Sequence, residues 1–494
     1  MLDYAVIGIY VLALGFIFIF SLGQFHLTRL YQKRSKEGEN GVAVVPPQSG
    51  KFPLVTIQLP VFNEYYVIER LIDKIISLEY PKEKLEIQLL DDSTDQTTEL
   101  ARNKVAFYQL QGFDIKLMRR PKRIGFKAGA LQYGLESAKG DFIAVFDADF
   151  LPPANFLLKT LPHFKHDKIG MVQTKWAHIN ENYSLITRLQ AFGLNAHFTV
   201  EQSGRQQAGS FINFNGTAGI WRKECILDAG GWSFDTLTED LDLSYRAQLK
   251  GWRFEYLEEI LSPAELPVIM TAVKSQQYRW NKGAAETARK NLKNVLNAQI
   301  PWPSKLHAFF HLSNSAVFVC LLIASLLSIP MLFIKANRPE IGIIFDLNSI
   351  FLIGFAAIAY FYWVSAKANY PQHTFQHYVI NYPLFLIFSM GLSLHNSIAV
   401  LEGYFGYKTP FIRTPKFNIK KLGDSWAGNI YVNQRLSVVT ILEAVLSIYF
   451  FYGIIVGFQL SDYGLILFHA MLFIGFMGIF LFSIFNRGHA IKKA

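Results

Sequence analysis

The chain has 494 residues, 51% apolar and 17% charged, with a formal charge of +10 and two cysteines. Soluble domains carry roughly 25% charged residues, so part of this chain belongs in lipid, and its length calls for more than one domain. Cys225 and Cys320 are too few for a disulfide scaffold or a cysteine zinc site. The basic clusters flank apolar runs, which suits anionic head groups and phosphorylated ligands better than nucleic acid.

Residues 4–23 have about the length of a bilayer crossing. The absence of a basic start and of a small-residue cleavage site reads as an anchor rather than a signal peptide. Arg29, Lys33, Arg34 and Lys36 follow, so the positive-inside rule puts the N-terminus outside and the next domain in the cytoplasm. Residues 38–51, rich in Gly, Val and Pro, read as a linker.

The β-branched run at 54–60 predicts a buried strand, ending in Pro60-Val61-Phe62-Asn63-Glu64 before a helix over 66–78. A second strand over 85–90 ends in Asp91-Asp92-Ser93-Thr94-Asp95, and a short third covers 115–118. Arg119 to Ala130, with Arg120, Arg123 and Lys127, opens the next helix. A fourth strand over 142–146 ends in Asp147-Ala148-Asp149. Strands alternating with helices predict a parallel, doubly wound sheet that binds ligands beyond the strands' C-terminal ends. Each polar cluster sits at such an end.

Residues 181–202 predict an amphipathic helix, and Asn215-Gly216-Thr217-Ala218-Gly219 a glycine-bearing loop entering a strand. After the turn Gly230-Gly231-Trp232-Ser233, Thr238-Glu239-Asp240 opens a helix whose dipole favours an ionised carboxylate. Gln276, Arg279 and Trp280 share a helix face. Residues 289–312 suit a helix in the membrane interface. Segments 312–333, 344–364, 436–458 and 463–485 read as membrane spans. Residues 383–404 are apolar but contain His395, Asn396 and Glu402. The basic stretches 413–421 and 487–493 both belong on the cytoplasmic side, and a fifth crossing would reverse one of them. Residues 383–404 are therefore expected to be interfacial or re-entrant, leaving five full spans.

Each motif is weak alone. Asp147 and Asp149 offer hard oxygens to Mg²⁺ or Mn²⁺ bridging a diphosphate, or form an ordinary acidic turn. Asp91 and Asp92 suit a base or ribose, or cap the next helix. Arg120, Arg123 and Lys127 precede a helix start, where phosphate binds, or are solvated charges. Gln276, Arg279 and Trp280 suit hydroxyls, phosphate and a sugar face, although a lone Trp is more often core. His178, His197 and His307 lack paired ligand spacing and receive no metal.

The set Asp91-Asp92, Asp147-Ala148-Asp149, Thr238-Glu239-Asp240 and Gln276 to Trp280 resembles the D, DxD, TED and QxxRW motifs of processive family 2 glycosyltransferases, which include cellulose, hyaluronan and mannan synthases. The resemblance covers nearly the whole chain. Segments 125–131, 173–176 and 214–221 are most similar to cellulose-synthase-like mannan and glucomannan synthases. Phe411-Ile412-Arg413-Thr414-Pro415-Lys416 resembles the gating loop of cellulose synthases, with Arg413 where those enzymes usually carry a small or apolar residue.

The resemblance implies a GT-A catalytic domain, Rossmann-like with a doubly wound, mostly parallel sheet, joined to an α-helical transmembrane region. The expected layout is an N-terminal transmembrane helix at 1–25, a linker at 26–50, the cytoplasmic domain at 51–288 and an interfacial helix at 289–311. A transmembrane region at 312–485 follows, containing the segment 383–404 and the gating-like loop 407–421, then a cytoplasmic tail at 486–494. Asp240 is expected to be the general base of an inverting transfer from a nucleotide sugar, GDP-mannose or UDP-glucose. Asp91, Asp92, Lys127, Asp147, Gln276 and Arg279 are expected to bind the donor, Asp147 and Asp149 to hold Mg²⁺ or Mn²⁺, and Trp280, Glu239 and Thr238 to meet the acceptor. The acceptor is expected to be a growing β-linked polysaccharide, with membrane lipids as surroundings and no nucleic acid. The alternatives are a ceramide-type lipid glycosyltransferase adding one sugar, and a transporter or scaffold, which would be expected to carry broken carboxylate motifs.

Overall fold

The computed structural model describes residues 1–36, 52–338, 340, 350–426, 428–431 and 437–491. A helix α1 (Leu2–Lys36) precedes a domain built on β1 (Val55–Val61), α2 (Ile68–Ile76), β2 (Leu85–Asp91), α3 (Thr97–Leu110), β3 (Asp114–Met118), α4 (Phe126–Ser137) and β4 (Phe142–Val145). β5 (Ile169–His178), α5 (Leu185–Ala196), β6 (Gly219–Arg222), α6 (Glu239–Leu249) and β7 (Arg253–Ala264) complete it. The sheet has seven strands in the order β3-β2-β1-β4-β6-β5-β7. β3, β2, β1 and β4 run parallel, and β6 is antiparallel to both neighbours.

β1 and β2 are covered on both faces, as the central strands of a parallel sheet are. Polar side chains inside them fix the register. Thr56 pairs with Glu86 at 2.7 Å and Gln58 with Gln88 at 3.0 Å, directly across the ladder. A slip by one residue would break both bonds and leave buried polar groups unmade.

The chain then enters α7 (Met270–Asn297), α8 (Trp302–Leu312), α9 (Ala316–Asn337), α10 (Phe351–Asn369), α11 (Thr374–Gly391), α12 (Ser393–Phe405), α13 (Val438–Gln459) and α14 (Ile466–Ile491). Five helices are long and apolar enough to cross a membrane: Leu2–Lys33, Ala316–Asn337, Phe351–Asn369, Val438–Gln459 and Ile466–Phe485. α11 and α12, which include the residues 383–404 expected to be interfacial or re-entrant, pass as one apolar segment bent by 52°, with the break at Leu392.

Three boundaries differ from the sequence reading. Residues 26–36, expected as linker, continue α1, because Thr28 lies fully buried and nothing breaks the helix before Lys36. The single interfacial helix expected at 289–311 is two helices, split before Pro301. Helix 181–202 is a short 3-10 turn, α5 and a π turn at His197–Glu201. The linker at 38–51, the start of the span expected at 344–364, and residues 492–494 of the tail lie outside the described residues.

α7 ties the membrane region to the domain. Lys274 pairs with Glu443 of α13 at 2.7 Å, and Tyr278 hydrogen-bonds Glu402 of α12. Buried Lys282 donates to the Tyr407 carbonyl at 2.6 Å and to Thr409 at 2.7 Å. Further along, Glu286 accepts the Leu237 amide at 2.7 Å, Thr287 meets Thr238 at 3.1 Å, and Asn291 donates to Asp242 at 2.9 Å. Gly283 is required here, because a Cβ would lie 2.5 Å from Thr238 Cγ2.

Asp242 is fully buried and holds Arg246 at 2.8 Å, Lys290 at 3.0 Å and Asn291. Asp242→Ala leaves those donors uncompensated and is expected to cost about 3–5 kcal/mol. Thermal unfolding of the detergent-solubilised chain checks this, and an unchanged midpoint would show that α6 and α7 do not depend on the carboxylate.

Candidate active site

The C-terminal ends of β1, β2 and β4 open into a cavity lined by Phe62, Glu64, Asp92, Arg123, Asp147 and Asp149. Arg279 and the loop residues Phe411, Arg413 and Lys416 close it. A second cavity shares Lys127, Asp147, Asp149, Arg279 and Phe411 with the first and continues past Asp240, Glu239, Thr238, Gln276 and Trp280. The expected residues therefore gather at one sheet end, with one exception.

Asp91 is that exception. It is buried at the end of β2, accepting from the Ser93 amide at 2.9 Å and the Thr98 hydroxyl at 2.7 Å. Its side chain braces the turn into α3 and does not line either cavity. Asp92 reaches the cavity but is already clamped by Arg120 at 2.8 and 2.5 Å. Arg123 lies flat on Phe62, 3.3 Å from the ring centroid.

Lys127, on the first turn of α4, is the hub. It donates to Asp147 Oδ1 at 2.6 Å and to the Gly216 carbonyl at 2.8 Å, and stands 3.9 Å from Glu239. Gly216 adopts φ +80°, and a Cβ there would sit 2.9 Å from Asp240 Oδ2. Glycine thus lets backbone lie against the proposed base. Arg279 packs over Phe411, 5.1 Å from its ring, and its guanidinium faces Asp147, Glu239, Asp240 and Asp149.

Asp240 is in the first turn of α6, its Oδ1 accepting the Leu241 amide at 2.8 Å. Burial, and then the adjacent Glu239, push its carboxyl up to about 7, against the pull of Lys127. The helix dipole invoked from sequence is outweighed, because desolvation acts on the charged form more strongly than one helix end does. A base that titrates near neutrality suits proton abstraction better than an ordinary carboxylate.

Asp149 Oδ2 accepts from Lys416 Nζ at 2.7 Å, while its buried Oδ1 has no hydrogen-bond partner among the described residues. Two hard carboxylates, one with an unmet oxygen and both neutralised by lysines, fit a divalent cation. Among the described residues no three His, Cys, Asp or Glu side chains converge as a metal site, so phosphate oxygens and water would complete the coordination.

Sequence reasoning missed the parts played by Glu64, Lys416 and Trp176. Glu64 belongs to a strand-end cluster that was legible, and Lys416 to the gating-like loop. Trp176 lies 6.5 Å from Trp280, beside His178, whose imidazole burial pushes down to about 4.

Two family models match the chain: Glycosyl transferase family 2 over residues 56–227, and Glycosyl transferase family group 2 over residues 142–366. The chain is 42% identical over 269 residues to a probable glucomannan 4-beta-mannosyltransferase 4 of Oryza sativa subsp. japonica, covering 53% of this chain and 49% of the relative. It is 40% identical over 265 residues to glucomannan 4-beta-mannosyltransferase 9 of Arabidopsis thaliana, covering 52% and 50%. The chain spans about half the length of the curated relatives it matches. The mannosyltransferase PcManGT from Pyrobaculum calidifontis, solved with GDP-Man and Mn²⁺, shares the fold with a TM-score of 0.53 at 18% identity, covering 74% of this chain and 99% of that one.

The raised Asp240 carboxyl has a consequence for stability. A carboxylate held above its unfolded value costs stability above about pH 7, and the cost fades as pH falls towards about 4, where both states are protonated. Asp240→Asn is expected to raise the unfolding midpoint at pH 8 by roughly 2 °C or more, with the gain shrinking by pH 5. Unfolding scans at both pH values check it; an equal effect at both would contradict the raised carboxyl.

Proposed function

We propose, from the family 2 and family group 2 glycosyltransferase models that match residues 56–227 and 142–366, that the chain is a membrane-embedded, inverting hexosyltransferase that extends a β-linked polysaccharide. The observation that carries this reading is a row of adjoining cavities that share walls. The cavity holding Asp240 shares Leu194, Gln276 and Trp280 with one of about 180 Å³. That one shares Gly193, Phe318, Tyr362, Phe385 and Ser389 with a cavity of about 500 Å³ bordered by α1, α9, α10 and α11. Three adjoining cavities with common walls thus lie between Asp240 and the apolar helices, the direction in which a product is proposed to leave.

A carboxylate oxygen of Asp240 takes the proton of the acceptor hydroxyl as the hydroxyl oxygen attacks the anomeric carbon. The bond to the diphosphate breaks on the opposite face, its electron pair leaving with the nucleotide. One displacement inverts the configuration and needs no covalent enzyme intermediate. Arg279 and Lys127 attract the diphosphate, and Gln276 borders it. Asp147 and Asp149 would hold Mg²⁺ or Mn²⁺, which supplies charge neutralisation to the departing nucleotide. Trp280 stacks on the acceptor sugar's apolar face, with Thr238 and Glu239 at its hydroxyls. The relatives' named activity supports a mannosyl donor and a 1,4 linkage. The long apolar helices support a multi-pass protein. The basic residues Arg29 and Lys33 at the C-terminal end of the first of them support a cytoplasmic catalytic domain.

Asp240→Asn is expected to lower transfer from a radiolabelled nucleotide sugar by at least ~10²-fold while nucleotide binding persists, and wild-type transfer is expected to fall as pH drops through about 7. Chelation is expected to stop turnover and added Mg²⁺ or Mn²⁺ to restore it, whereas full activity in excess chelator would rule out the aspartate pair as a metal site. Trp280→Ala is expected to shorten the labelled polymer with donor binding largely kept. Product sizing decides that point: label recovered only in lipid, at one sugar per acceptor, would replace the polymer reading with a lipid glycosyltransferase.

A further inference from the structure

Glu64 follows β1, with its backbone carbonyl accepting the amides of Val67 and Ile68 at 3.0 Å. Its side chain is nearly buried yet lines the same cavity as Asp147 and Asp149. Among the described residues, the hydrogen bonds to this carboxylate come from the guanidinium of Arg413, in the loop 407–421. Arg413 Nε donates to Glu64 Oε1 at 2.8 Å, and the terminal nitrogen to Oε2, making a two-pronged contact. The same guanidinium lies over the Tyr431 ring, 4.7 Å from its centroid. Tyr431 is itself pinned by a hydrogen bond to Asp95 and by edge-on packing with Tyr66 at 6.0 Å.

This is recognition of a flat, two-donor edge by a carboxylate, with an aromatic ring beneath it. Among nucleobases only guanine offers the same array, its N1–H and N2–H pointing in parallel as the two N–H groups of a guanidinium do. Uracil presents one N–H between two carbonyls, so one carboxylate oxygen would face a carbonyl. Adenine and cytosine each put a ring-nitrogen acceptor beside their amino group. A buried carboxylate facing the wrong edge loses a hydrogen bond and gains repulsion, a strong basis for discrimination.

We propose that Glu64 reads the guanine edge of a guanosine-diphosphate sugar and that Arg413 fills this seat until the donor arrives. The proposal rests on the transferase reading of the site and adds the base to it. The diphosphate would lie towards Asp147 and Asp149 at the end of β4, and the base towards Glu64 at the end of the neighbouring β1. Arrival of the donor frees Arg413, and with it the loop that also carries Phe411 and Lys416 across the cavity.

The test is equilibrium binding of GDP, IDP and UDP, with Mn²⁺, to the full detergent-solubilised chain. IDP lacks only the 2-amino group of guanine. The wild type is expected to bind GDP about tenfold more tightly than IDP, the loss of one hydrogen bond to a charged group, and to bind UDP more weakly still. Glu64→Gln is expected to bring the GDP-to-IDP ratio close to one, whereas Glu64→Asp, which keeps the charge, retains part of it. Arg413→Ala is expected to tighten GDP several-fold without changing the ratio, because the competitor is gone. An unchanged ratio in Glu64→Gln overturns the proposal, as does weaker GDP binding in Arg413→Ala, or a wild type that prefers UDP. Sugar transfer is assayed separately. Guanine selectivity without transfer would condemn the transferase reading alone, and transfer from a uridine donor with no GDP binding would condemn the base reading alone.

Discussion

Everything at the site depends on keeping a crowd of buried and half-buried carboxylates together. Glu64, Asp147, Asp149, Glu239 and Asp240 meet at one end of the sheet, where mutual repulsion and desolvation would drive them apart or protonate them. Cations from three separate segments hold them: Lys127 from α4, Arg279 from α7, and Arg413 with Lys416 from the loop after α12. Only Lys127 belongs to the core of the domain. The others arrive from the membrane-facing half of the chain, so the domain alone would be left with uncompensated negative charge. The proposed anionic donor and metal would enter a site whose charges are already poised to exchange partners.

Much of this was legible before any coordinates. The alternation of β-branched runs with helical stretches gave the parallel strands to within a residue or so, because buried parallel strands have little freedom in composition. The strand ends gave the candidate residues, since polar side chains cluster there only for a reason. The limits are equally physical. Asp91 and Asp92 are adjacent in sequence, but the pleat turns one inward to Thr98 and Ser93 and leaves the other facing Arg120. For Asp240 the sequence showed a helix start but not the burial and the Glu239 charge that overrule it. The contact of Arg413 with Glu64 joins positions 349 apart, which no local pattern encodes. Residues 383–404 were expected to be interfacial or re-entrant from the charge of the flanking segments, and that reasoning gave no sign of where the apolar segment bends.

The structure also explains why the soluble and membrane parts behave as one object. Tyr278 and Lys282 of α7 hold α12 and the residues just after it, while Gly403 lets α12 approach so closely that a Cβ would lie 2.6 Å from the Lys282 carbonyl. Close packing of this kind leaves few independent positions. Motion that opens the site is therefore expected to pass through the loop after α12 rather than through the helices themselves.

α7 acts as a ruler. Along its single uninterrupted length it carries a residue for the membrane ion pair, then the guanidinium and indole of the site, then the contacts that seat Thr238 and Asp242. A helix turns about 100° per residue. One inserted or deleted residue between Lys274 and Asn291 would therefore swing one end's contacts about 100° round the helix, off their partners, while leaving the other end in place. Length change is thus closed to this segment as a route of divergence. Descendants of the chain can alter what the ruler touches by substitution, but the spacing between its membrane mark and its catalytic mark must be inherited whole.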